Sequence, residues 1–88
     1  MAKKVDKKNQ ERVTLDMILE SMNQNGIISA GNLKKKWQSL KGLIKPKRLV
    51  FFLQEKGIKL SLAAVDFLHT VKKSLSVALK NRPELIAT

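Results

Sequence analysis

Between Asn32 and Leu49 the chain carries Lys34, Lys35, Lys36, Lys41, Lys45, Lys47 and Arg48, and no acid. The acid-free window is wider, from Ser21 to Gln54, although Asp and Glu occur on both sides of it. Ammonium and guanidinium groups gathered this way attract polyanions. An ordinary solvated helix mixes both signs, so a one-sign window favours contact with a polyanion over plain solvation. Nucleic acid is the commonest such partner inside a cell, with anionic lipid and acidic proteins as rivals.

The residue types refine this. Lysine is a point charge, whereas arginine presents a planar fork suited to bidentate recognition. A lysine-dominated window therefore points to backbone phosphate rather than base edges. Arg48 is the best candidate for a base edge, with Gln38 and Asn32 as weaker ones.

Other chemistries lack their residues. There is no Cys, which removes disulfides, thiolate metal sites and thiol catalysis. His69 stands alone, and Ser61, Ser74 and Ser76 have no base partner in a recognisable motif. No P-loop, dinucleotide fingerprint or zinc-protease motif occurs. The expectation is a protein that is not an enzyme, with no metal, cofactor or small-molecule substrate. No apolar run is long enough to span a bilayer, and no signal core follows the basic N-terminus. A soluble, cytoplasmic, nucleic-acid-associated protein is expected.

The 88 residues suffice for one small domain, and 43% hydrophobic content supports a modest core. The net charge of +11 opposes compaction. Residues 1–12 read as a mobile basic arm, 13–82 as a single helical domain and 83–88 as a short tail.

Within that domain, Leu15, Ile18, Leu19 and Met22 form one helical stripe, and Gly26 follows as its terminator. Ile27 and Ile28 suit a very short strand or an extended connection. Ser29 is a natural cap for a second helix with Leu33, Trp37 and Leu40 inward. Pro46 opens a third helix, which Gly57 closes. Its Leu49, Phe52 and Leu53 face the core, which turns Phe51 roughly 160–200° away. A lid over that side accounts for Phe51. The lid is the fourth helix, capped by Ser61, running from about Leu62 to Lys80 and ended by Pro83. The expected fold is all-α, with four helices and a long C-terminal one.

The order helix, "GIIS", helix, turn, helix, "LQEKGI" makes residues 14–60 resemble a winged-helix or helix-turn-helix domain. In that family a glycine ends the first helix, an Ile-Ser lead opens the second and an "LxxxGI" step ends the recognition helix. Here "GIKLS" runs straight into a helix, so any wing is vestigial or absent. The arrangement is also similar to wingless variants and to small helical domains of RNA polymerase subunits and sigma factors. The resemblance implies that the third helix reads a DNA groove, entering by its N-terminal residues, and that the protein acts in transcription regulation.

These observations together predict a small basic protein binding nucleic acid, duplex DNA before RNA, mainly through phosphate. The contact residues are Lys34, Lys35, Lys36, Gln38, Lys41, Lys45, Lys47 and Arg48. The alternatives are a basic adaptor docking on an acidic protein, such as a polymerase subunit or secretion component, and an RNA- or ribosome-associated factor. In the fourth helix, Ala64, Leu68, Val71 and Leu75 step as a heptad seam. That seam either closes the core or forms a homodimer interface, with Lys72 snorkelling at its rim.

Overall fold

The computed structural model describes residues 7–87. Helix α1 spans Lys7–Met22 and is followed by a tight hairpin of β1 (Asn23–Gln24) and β2 (Ile27–Ile28). Helices α2 (Ala30–Leu40) and α3 (Pro46–Lys56) lead into β3 (Lys59–Ser61). Then come α4 (Leu62–Val71), α5 (Lys73–Lys80), a 3-10 turn at Pro83–Leu85 and β4 (Ile86–Ala87). The first six residues of the expected arm lie outside the described residues. Its remainder, from Lys7, is helical backbone. No described helix is long and apolar enough to cross a membrane.

The local signals that delimit the middle helices are satisfied. Ser29 Oγ accepts from the Asn32 amide at 3.2 Å, and Ser61 Oγ accepts from the Ala64 amide at 3.1 Å. Each hydroxyl satisfies an amide that the first helical turn leaves unpaired. Pro46 occupies the first turn of α3, where its missing N–H costs nothing. Gly57 closes α3 in the left-handed region, at φ 69°.

Four helices in an all-α fold is not what forms. The described residues hold five α-helices and a four-stranded mixed sheet in the order β1-β2-β3-β4. β1 and β2 are antiparallel, while β2–β3 and β3–β4 are parallel. The hairpin turns on Asn25 (φ 58°) and Gly26 (φ 86°), two consecutive positive φ values that Asn-Gly adopts readily. The Asn23 side chain reinforces the turn by accepting from the Gly26 amide at 2.8 Å. Gly26 is thus a hairpin residue, not a helix terminator. The segment after Pro83 is not a free tail, because Ile86 and Ala87 pair with Leu60 and Ser61. Thr88 lies outside the described residues.

The long C-terminal helix is also corrected, since it breaks at Lys72, whose backbone leaves the helical region at φ −156°, ψ 83°. The Lys72 ammonium crosses to the turn between α2 and α3 and donates to the Ile44 carbonyl at 2.7 Å. The His69 ring and Ser76 hydroxyl lie 3.2 Å apart across the same break, and Ser76 donates to the Lys73 carbonyl. Two short helices can do what one straight helix cannot: α4 packs against α2, and α5 packs against α3.

One hydrophobic core results. Leu19 and Met22 of α1, Leu33 and Leu40 of α2, and Leu49, Phe52 and Leu53 of α3 are all buried. They meet Ile28 and Leu60 from the sheet and Leu68, Leu75 and Leu79 from the last two helices.

Candidate nucleic-acid interface

Helix α2 divides cleanly. Leu33, Trp37 and Leu40 are buried, while Lys34, Lys35, Lys36, Gln38 and Lys41 are exposed. The apolar side is pinned from below. The Trp37 ring meets the edge of Phe67 with centroids 5.8 Å apart and planes at 85°. Lys34 Nζ lies over the same Phe67 ring, 5.7 Å from its centroid, at cation–π distance, while the residue as a whole stays exposed. Lys45 and Lys47 are exposed at the start of α3, where no side chain caps the helix. Positive charge there opposes the helix dipole by about 0.3–1 kcal/mol per residue.

None of Lys34, Lys35, Lys36, Lys41, Lys45 or Lys47 forms an ion pair among the described residues. Most carboxylates near the window are paired with other bases, and Glu55, at its end, is exposed and forms no ion pair among the described residues. Asp16 holds Arg48, Glu20 lies 3.9 Å from Lys56, and Glu84 lies 4.0 Å from Arg82. The lysine field across α2 and the start of α3 is therefore uncompensated. Lys72 extends it, because its ammonium reaches the turn joining the two helices. No sequence signal could place Lys72 there: the partner carbonyl is 28 residues away, on the far side of a helix break.

Two sequence candidates turn out to serve the fold. One Arg48 nitrogen chelates both Asp16 carboxylate oxygens, at 2.6 and 2.7 Å, tying α3 to α1. The guanidinium also lies over the Phe51 ring, 5.6 Å from its centroid, and its Nε is buried with no partner among the described residues. One nitrogen of the fork is thus taken by the scaffold. The Asn32 amide is likewise used, donating to the Met22 carbonyl at 3.2 Å and anchoring α2 to the end of α1. Gln38 remains exposed among the lysines.

The Arg48–Asp16 pair carries a stability prediction. Asp16→Ala strands a half-buried guanidinium, which costs about 1–2 kcal/mol at the lower end for a lost charged partner, since the side chains keep 20% and 33% exposure. Urea denaturation should show a lower midpoint at unchanged slope. An unaltered midpoint would mean the pair contributes nothing.

The seam on the last helices is mostly consumed inside the monomer. Ala64, Leu68 and Leu75 are buried at 0–1% exposure, and only Val71 stays open, at 40%. Those three positions cannot also line a dimer axis. Phe51 departs from expectation in the other direction. Among the described residues no lid covers it: the chain breaks at Lys72, α5 packs against α3, and Phe51 stays 53% exposed. The sequence signal was its position off the apolar stripe of α3.

Comparison of the chain with protein-family models, with curated proteins and with solved structures found no match.

Proposed function

We propose that this domain binds nucleic acid, duplex DNA first, chiefly through phosphate contacts made by α2 and the start of α3. The observation that carries this is the set of six exposed lysines with no carboxylate partner among the described residues. Such charges repel one another across a small surface, and that repulsion is relieved when a polyanion displaces their counterions. Lys34, Lys35 and Lys36 contribute from α2, Lys47 from α3, and Lys41 and Lys45 from the residues just after α2 and just before α3. Under the helix-turn-helix resemblance, α3 approaches the duplex by this same N-terminal end. With Arg48 engaged by Asp16, contacts made by lysine are to backbone oxygens and carry little sequence information.

The test is a binding titration across a salt series. Four to six phosphate contacts give a slope of log K against log salt of roughly −4 to −5. Affinity should fall roughly 250- to 1,000-fold between about 50 and 200 mM salt, the fourfold concentration change raised to the power of that slope. Salt-independent binding would rule out the phosphate reading. Tighter binding to an acidic protein than to DNA would transfer the lysine field to an adaptor role, and a preference for RNA would change the nucleic acid but not the site.

A further inference from the structure

Phe51 sits where the run of unpaired lysines ends. Lys47 is four residues before it on α3 and Glu55 four residues after, so all three share one face of the helix, a turn apart. All three are exposed. Beside them on α1 are Asp16 and Glu20, bound through Arg48 and Lys56 of α3. The run of unpaired lysines therefore ends on the N-terminal side of the ring; on its α1 side Asp16 and Glu20 are paired with Arg48 and Lys56, and on its C-terminal side stands Glu55. The unpaired positive charge that holds a phosphate chain stops at this boundary. A neutral, planar base does not need it.

The ring is also held in place. Arg48 lies over it, and Asp16 fixes the Arg48 guanidinium through two short contacts. An exposed aromatic is ordinarily free to change rotamer, but this one rests against a chelated cation. More than half of its surface remains open. A fixed, open aromatic beside phosphate-binding lysines is the arrangement on which unpaired bases stack. Paired bases cannot use it, because their faces are covered by neighbours and only their edges are offered.

We propose that Phe51 is a stacking platform for an unpaired base, so that the domain favours nucleic acid with a single-stranded segment beside the backbone held by Lys45 and Lys47. The inference rests on the phosphate-binding reading above and adds the class of nucleic acid. One stacked base contributes a preference of roughly 5- to 150-fold, the equivalent of about 1–3 kcal/mol.

Fluorescence anisotropy with a short blunt duplex, and with the same duplex carrying a single-stranded overhang of a few nucleotides, tests it. The wild type is expected to bind the overhang DNA more tightly. Phe51→Ala should lose that preference, by roughly 5- to 150-fold on the overhang DNA, and keep both its blunt-duplex affinity and its salt slope. Phe51→Trp should retain the preference, since an indole stacks as well as a phenyl ring. Equal binding of both DNAs by the wild type overturns the platform. So does a Phe51→Ala variant that loses equally on both. In either case a normal salt slope on blunt duplex leaves the phosphate reading standing. If neither DNA binds in a salt-dependent way, the phosphate reading fails and the platform fails with it.

Discussion

Replacing Lys35, Lys36 and Lys47 together by Gln is expected to weaken duplex binding by two to three orders of magnitude at about 0.1 M salt. Each phosphate contact adds about 0.9 to the salt slope, so each contributes roughly eightfold at that concentration relative to 1 M. Three lost contacts multiply to about 500-fold, and the slope should become shallower by about 3. Extrapolated to 1 M salt, variant and wild type should converge, because only the electrostatic part has been removed. Stability should move the other way or not at all. All three side chains are exposed, and glutamine is nearly as good a helix former as lysine. Lys47 lies in the first turn of α3, so removing its charge relieves an adverse dipole interaction of about 0.3–1 kcal/mol. A thermal melt beside the titration separates the two effects. If the triple variant keeps wild-type affinity and slope, these lysines only solvate the surface.

What could be read in the sequence was local. Ser29, Pro46, Gly57 and Ser61 each mark a helix end through their own side chain or backbone preference, and each performs that role. The inward stripe of α2 and that of α3 were legible because an eleven-residue helix is long enough to show a period. The strands were not, since two or three residues show no period at all. Only the Asn25-Gly26 pair announced the hairpin, and the glycine in that pair is equally a helix terminator. β4 depends on a pairing with β3 across twenty-six positions, from Leu60 to Ile86. The break at Lys72 has no proline or glycine to signal it, and it coincides with contacts to Ile44 and between His69 and Ser76 that exist only in three dimensions.

The candidate site divides along the same line. That the lysines of α2 face outward follows from the position of Leu33, Trp37 and Leu40, so their exposure was legible. Whether a charge is free or paired is a tertiary fact. Arg48 was the most attractive base reader by residue type, and Asp16, thirty-two positions earlier, binds one nitrogen of its fork. Asn32 was drawn into the α1–α2 junction in the same way. Both examples show polar residues near a basic field serving the scaffold that presents it, while the simple ammonium groups stay available.

Trp37→Ala is expected to cost about 3–5 kcal/mol, the usual loss for truncating a large buried aromatic. The residue is only 9% exposed, and it meets the Phe67 edge in a geometry that adds about 0.5–1.5 kcal/mol beyond simple burial. An 88-residue domain has a total stability of roughly 4–13 kcal/mol at the usual value per residue. The substitution therefore removes roughly a quarter or more of what holds the chain folded, and at the low end it unfolds it. Lys35→Ala, two residues away on the opposite side of α2, should stay within about 0.5 kcal/mol of wild type while weakening binding. Urea denaturation of the two variants, read together with nucleic-acid affinity, tests whether α2 is divided into a core side and a contact side. If Trp37→Ala instead keeps its midpoint and loses only affinity, Trp37 is the aromatic that meets a base, and the exposed Phe51 ring is not needed for that role.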